Sequence, residues 1–362
     1  MGLTLITTLI TMTIKSLRLK NFRNHKNAHF TFSEGANLIL GPNGSGKSNI
    51  LEVLYFLAVG NFIKAGVDKD VISYNEDFCR TDAVIVENED SAMLSGSVVW
   101  INKTDKTVKS YEVNKIKRLK NKFLGNFYAV LFTPESLELV TDSPSLRREY
   151  VDFVLSQVDF KYRTYKPLYE KVIRNRNKVL EKIRNREASQ TQLDYWDIKA
   201  LEYGKFIQEK RDEFFNFINS NIAESAGTLG LKTLNISYLR SSISKDRLEE
   251  YKLKDIKAGL TLTGPHRDDF EFLLSKRNLK YFGSRGEHRT TSLSLKMCEL
   301  KFIKNKTGIR PALLLDDIFS ELDGNHRKTV IELCKTQQTV ITSADKNLVP
   351  EPLIKNARTF FL

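Results

Sequence analysis

The residues best suited to chemistry lie at Gly41-Pro42-Asn43-Gly44-Ser45-Gly46-Lys47-Ser48. The glycines of this G-x-x-x-x-G-K-S run let successive backbone N–H groups converge on phosphate oxygens, and a helix starting behind them adds the partial positive charge of its N-terminus. Lys47 would reach the β- and γ-phosphates of ATP, and the Ser48 hydroxyl would ligate Mg²⁺. Magnesium takes hard oxygen ligands and keeps several waters, so a carboxylate is needed at the tip of a neighbouring buried strand. Ala312-Leu313-Leu314-Leu315-Asp316 supplies it. Asp317 follows directly and is the candidate general base or water-orienting group. The residues therefore describe a site for ATP and Mg²⁺. Lys47 and Asp317 are its catalytic candidates, Ser48 and Asp316 its metal ligands, and Gly41, Pro42, Asn43, Gly44, Ser45 and Gly46 its phosphate cradle.

Elements of the right kind flank these positions. Leu17 and Leu19 alternate with polar neighbours, Phe30 and Phe32 do so again, and Ala36-Asn37-Leu38-Ile39-Leu40 reads as a buried strand running into the glycine loop. Ile50, Leu51, Leu54, Leu57 and Ala58 then make one face of a helix. Short alternating runs from Val71 to Tyr111 predict an antiparallel sheet attached to this first lobe. Beyond Pro134 two apolar stripes at helical spacing, Tyr165 to Ile183 and Leu193 to Ile218, are joined by a polar link and predict an antiparallel helical hairpin. Strands are expected again at Leu260-Thr261-Leu262 and Phe270–Leu274, a helix from about Arg289 to Lys304, and a last strand at Thr339-Val340-Ile341-Thr342. No internal repeat is present. The expected organisation is an extension over 1–12, an ATPase lobe split between 13–133 and 255–362, and an inserted helical lobe at 134–254.

Composition bounds the function classes. A chain of 362 residues with 41% hydrophobic and 28% charged residues is globular rather than fibrous or disordered, and two or three compact units fit its length. No stretch reaches the roughly 20 apolar residues of a membrane span, and the apolar run from Leu3 to Ile10 lacks the basic flank and cleavage site of a signal peptide. Met12 is a plausible alternative start. Three cysteines without CxxC spacing indicate neither a disulfide framework nor a zinc site, so a reducing cytoplasm is the expected compartment. The balance of 57 basic and 44 acidic residues, +13 overall, points to a polyanionic partner. Candidate phosphate contacts are Arg147, Arg148, Arg174, Arg176, Arg184 and Arg186, with Lys117 and Arg118 of the basic segment Lys115 to Lys122. No base-reading motif accompanies them, so the backbone or the structure of DNA is the expected target.

The span from Lys47 to Asp316 is too long for a simple kinase or GTPase, and with the motifs above it resembles the ATP-binding-cassette and SMC-type ATPases. In those proteins two subunits sandwich ATP between one P-loop and the other's signature loop. Ser284-Arg285-Gly286-Glu287 is the signature candidate here, with Ser284 and Gly286 as the groups that would meet a γ-phosphate in trans, and Glu321-Leu322-Asp323 resembles the D-loop. More specifically, the chain from Met12 onward resembles the RecF family of bacterial DNA replication and repair proteins. The resemblance rests on Leu17–Asn24, Phe132-Thr133-Pro134-Glu135, Ser143–Asp152, Arg176–Leu180, Leu193–Asp197, Gly264-Pro265-His266-Arg267-Asp268-Asp269 and Leu313–Asp317, in that order. It implies an α/β fold in which an ABC/SMC-type P-loop ATPase lobe with an antiparallel β subdomain carries an inserted helical lobe. It also implies an ATP-dependent homodimer on DNA, slow hydrolysis that releases it, and cooperation with RecO and RecR, without a membrane. Two positions depart from the pattern: Glu287 stands where Gln is usual, and Ser136 where an acidic residue is common. A transporter ATPase subunit would share the P-loop but carries a switch histidine after the last core strand, which Thr342-Ser343-Ala344-Asp345 lacks. A nucleotide-gated scaffold with negligible turnover is the other alternative.

Overall fold

The computed structural model of the protein describes residues 10–63 and 65–362. It divides into two compact units, one formed by the chain up to Leu137 together with Lys296–Leu362 and the other by Glu138–Leu295.

In the first unit the continuous apolar runs become a parallel sheet in the order β15 (Arg358–Phe361), β3 (Ala36–Leu40), β14 (Thr339–Ser343), β13 (Ala312–Asp316) and β8 (Ala129–Phe132). Strands β3, β8, β13 and β14 are buried along their whole length, as strands covered on both faces must be. The glycine loop leaves the end of β3 and opens helix α1 (Lys47–Val59), whose Ile50, Leu51, Val53, Leu54, Phe56 and Leu57 are all buried. This strand, loop and helix order aims the loop's N–H groups along the helix axis. The alternating segments form a second sheet in the order β12 (Ile309–Arg310), β1 (Ile10–Phe22), β4 (Phe78–Glu87), β5 (Asp90–Ile101), β6 (Lys106–Val113) and β7 (Ile116–Arg118). Strand β2 (His25–Thr31) also pairs with β1, and all neighbours are antiparallel except β1 and β12. Asn114 and Lys115, both at positive φ, make the two-residue turn between β6 and β7. The register of β1 against β4 slips between Ile14 and Ser16. There the buried Gln338 side chain bonds both Ile14 N (2.7 Å) and Ile14 O (2.8 Å), satisfying backbone groups left by the bulge. Helices α2 (Lys120–Phe123), α9 (Gly324–Cys334) and α10 (Glu351–Asn356), with the helical stretch 296–307, also belong to the unit.

Two expectations for this unit are corrected. Strand β1 reaches back to Ile10, which pairs with Ile309, so residues 10–12 belong to the sheet rather than to an extension; residues 1–9 lie outside the described residues. The strand at 339–343 is not the last, because β15 adds a fifth strand on the far side of β3. Its four residues are half exposed and too short to carry a period of their own.

The second unit holds α3 (Pro144–Val158), α4 (Phe160–Arg184), α5 (Asp194–Gly227), α6 (Lys245–Ala258) and α7 (Leu279–Phe282), with the start of α8 (Arg285–Thr307). The expected hairpin is α4 and α5, where the Tyr165 ring meets Tyr203 and Phe206 at centroid distances of 4.8 and 5.3 Å. Against it lies a small sheet of β9 (Leu234–Leu239), β10 (Asp269–Leu274) and β11 (Arg277–Asn278). Residues 255–295 therefore fold with this unit, not with the ATPase lobe as the boundary at 254 supposed, because β10 pairs along its length with β9. Leu260-Thr261-Leu262 is not a strand. Its amides are taken by side chains, Thr261 N by Asn177 Oδ1 (2.8 Å) and Leu262 N by Asp255 Oδ1 (3.0 Å), which leaves nothing for a ladder. No described helix is long and apolar enough to cross a membrane.

Candidate functional site

The glycine loop has the tight backbone that a polyphosphate site requires. Gly44 and Gly46 have φ of +82° and +98°, a region that costs other residues about 1–2 kcal/mol. A Cβ on Gly46 would lie 2.4–2.6 Å from the side chains of Asn24 and His25. Asn24 lies in the turn between β1 and β2, His25 opens β2, and both hold the loop from behind. Asn24 Nδ2 donates to Ser45 O (2.8 Å), and His25 Nε2 lies 3.1 Å from Gly46 O. Beside them Arg23 is paired with the buried Glu52 of α1 at 2.6 Å. Lys47 is buried, its Nζ donating to Gly41 O (2.9 Å) and Pro42 O (3.1 Å), so its charge is held inside the loop's curve. The buried Ser45 Oγ has no partner among the described residues, which suits a phosphate oxygen or its water.

Asp316 and Ser48 come together across 268 residues: Ser48 Oγ donates to Asp316 Oδ1 at 2.7 Å. The same carboxylate oxygen accepts from Thr342 Oγ1 at 2.8 Å, because β13 and β14 pair in parallel with Asp316 opposite Thr342. A hydroxyl and a buried carboxylate at the foot of a phosphate cradle are the hard-oxygen set that a magnesium ion uses while keeping waters and substrate oxygens. Asp317 adopts φ of +49°, a conformation unusual outside glycine and tolerated best by Asp and Asn. Thr342 Oγ1 accepts from Asp317 N (3.1 Å), and Asp317 Oδ1 accepts from Ala344 N (3.1 Å). The strained turn thus keeps this carboxylate beside, not within, the Ser48 and Asp316 pair. Thr342, Asn24 and His25 were not singled out from the sequence. The available signal for Thr342 was a polar residue ending a buried strand next to the Asp316 strand.

In the second unit Ser284, Arg285 and Gly286 are exposed at the start of α8. Glu287 turns back on this loop, accepting from Ser284 N at 2.7 Å while Ser284 Oγ accepts from Glu287 N at 3.3 Å. In the first unit Asp323, of the segment that resembles a D-loop, caps α9, accepting from the amides of Asn325 and His326 at 3.0 Å.

The arginine candidates separate sharply. Arg147 is buried and forks onto Asp269 (2.7 and 2.8 Å), and Arg148 donates to Asp268 O (3.0 Å) while burial lowers its pKa. Arg176 is wholly buried, bonded to Asp197 (2.6 Å) and Asp255 (2.7 Å). Arg147 and Arg176 are therefore internal ion-pair partners and not phosphate contacts. The same kind of network occupies the 264–269 motif, where Asp268 accepts from Arg211 (2.9 Å), Gln208 (2.9 Å) and Ser241 N (2.8 Å). Arg174, Arg184 and Arg186 stay exposed, Arg184 facing Glu181 at 3.8 Å, and Lys117 and Arg118 lie on the exposed edge strand β7. Lys171, Arg174, Lys178 and Lys182 form an exposed stripe along α4, and none has an ion-pair partner among the described residues. Their spacing along the axis is about 4.5–6 Å. Three of these positions, the lysines, were missed because surface lysines are common and only the helix phase aligns them. The cysteines are no part of a site: all three are buried, and burial pushes the Cys79 and Cys334 thiols up to about 12.

Comparison with known proteins shows which family the chain belongs to. The family described as "RecF/RecN/SMC N terminal domain" matches residues 13–357. A "DNA replication and repair protein RecF" of Clostridium beijerinckii is 36% identical over 344 residues, covering 92% of each chain. The chain belongs to the RecF family. A RecF of Clostridium perfringens is 33% identical over 361 residues, 96% of this chain and 98% of its own. Two solved structures of the "recombination mediator protein RecF", described with ATPrS and with ATP in the RecFOR pathway, superpose with TM-scores of 0.88 and 0.87 at 29% and 30% identity. They cover 97% and 94% of this chain and 96% and 94% of their own. The RecF-type fold expected from the sequence, an SMC-like ATPase lobe combining parallel and antiparallel sheets, is thereby established.

Proposed function

We propose that the protein is a DNA replication and repair ATPase that binds DNA as a homodimer closed by Mg-ATP and reopened by slow hydrolysis. The observation that carries this reading is the 2.7 Å contact of Ser48 Oγ with Asp316 Oδ1 beneath a preformed phosphate loop. In the proposal Lys47 and the loop amides hold the triphosphate, and Ser48 and Asp316 hold Mg²⁺, which offsets the phosphate charge. Asp317 orients the attacking water, with Thr342 and the Ala344 amide fixing its position. Ser284 and Gly286 of a second copy complete the site in trans. The α4 stripe, with Arg184, Arg186, Lys117 and Arg118, contacts DNA phosphates without reading bases. RecR and RecO are the expected protein partners, since the related structures are described within the RecFOR pathway. The test is fluorescence anisotropy of a labelled single-strand/double-strand junction with and without Mg-ATP. ATP should tighten binding by the parent and not by Lys47→Ala. Asp317→Asn should bind ATP normally and hold DNA longer. Equal loss of ATP binding in both variants, or ATP that binds without changing DNA affinity, refutes the clamp.

A further inference from the structure

One of the groups proposed to meet a second copy's γ-phosphate, Ser284, is already engaged by an anion of the chain itself. Ser284 N, an amide at the open end of α8, donates to Glu287 Oε2 at 2.7 Å, and Ser284 Oγ accepts from Glu287 N at 3.3 Å. Arg277 pairs with the other Glu287 oxygen and also donates to Phe282 O, so the carboxylate is tied at both ends. The Glu287 side chain keeps only 21% of its surface, whereas Arg277 keeps 42%. The Ser284 amide, assisted by Arg277, holds the Glu287 carboxyl below its usual range, so it is ionised at neutral pH. An amide side chain in this place could accept from the same N–H and complete the same capping box. What the carboxylate adds is therefore a negative charge at a helix N-terminus that would otherwise favour a phosphate.

We propose that Glu287, neutralised in part by Arg277, is a built-in competitor of the nucleotide at the signature loop and thereby sets how much ATP is needed to hold two copies together. This rests on the reading of Ser284 and Gly286 as trans contacts. An approaching γ-phosphate must either displace the carboxylate from Ser284 N or approach it against like-charge repulsion, and Arg277 decides how strongly that repulsion is felt.

The experiment is sedimentation velocity across a Mg-ATP series with the full chain and three variants, Glu287→Gln, Arg277→Ala and the double variant. Nucleotide affinity of the monomer and the melting temperature without ATP are measured alongside. Glu287→Gln is expected to dimerise at roughly tenfold lower ATP, with monomer affinity and melting unchanged. Arg277→Ala is expected to need more ATP than the parent, and its effect should vanish in the Glu287→Gln background. A parent and a Glu287→Gln protein with the same ATP dependence overturn the inference while leaving the clamp intact. A shift matched by an equal change in melting or monomer affinity also overturns it, since that is a folding effect. No ATP-dependent dimer in any variant overturns the clamp reading and this inference with it.

Discussion

Replacing Arg176 with alanine should unfold the second unit more easily and leave nucleotide binding alone. Arg176 has no exposed surface, and its guanidinium donates to Asp197 (2.6 Å), Asp255 (2.7 Å) and Thr261 Oγ1 (2.9 Å). Asp255 is equally buried, and its other oxygen accepts from Leu262 N (3.0 Å). Truncation would strand a buried carboxylate, a cost of about 3–5 kcal/mol, which in a unit of this size lowers the melting temperature by roughly 6–20 °C. The deficit should also depend on pH. Burial already raises the Asp255 pKa against the pull of Arg176, and removing that pull raises it further. A carboxyl raised in the fold binds its proton more tightly there than in the unfolded chain. Its favourable contribution is therefore present at low pH and lost as pH rises through the folded value, so the variant should lie closer to the parent at pH 5 than at pH 8. The assay is urea unfolding followed by Trp196, the sole tryptophan once Trp100→Phe is introduced, since the chain has two. A destabilisation under about 1 kcal/mol, accompanied by weaker DNA binding, would refute the burial argument and return Arg176 to the surface.

Gly46→Ala should abolish ATP binding by calorimetry, because the loop must either give up φ of +98° or push Asn24 and His25 from the turn that supports it. Reversing the charges of Lys171, Arg174, Lys178 and Lys182 should weaken DNA binding and flatten its logarithmic salt dependence by roughly 0.9 for each phosphate no longer neutralised, with ATP affinity unchanged; unaltered DNA affinity removes the stripe from the interface. His266, bonded through Nε2 to Thr261 O (2.9 Å) and through Nδ1 with Tyr169 (2.8 Å), is lowered by burial to about 4. The unfolded chain then binds the proton first, so stability should fall by about 3 kcal/mol as pH drops from 6.5 towards 4, and His266→Gln should remove that component of the acid unfolding curve.

The phosphate loop was legible because its parts lie within eight consecutive residues and its flanking strand and helix have distinct periods. Asp316 was legible for a related reason, since it closes a short apolar run of strand length. The helical hairpin followed from apolar stripes long enough to fix a phase. The sequence by itself thus determined the phosphate loop with its flanking strand and helix, the helical hairpin and the family. Tertiary structure alone decided which charges are free. Arg174 and Arg176 stand two apart on one helix and read alike, yet they fall on opposite faces, one exposed and the other closed by Asp197 and Asp255 from segments 21 and 79 residues away. The same holds for Thr342, joined to Asp316 by strand pairing, and for Asn24 and His25, joined to the loop by a turn of another sheet. Periodicity reports the face a residue occupies, but the partner that meets that face comes from a distant part of the chain, and only folding brings it there.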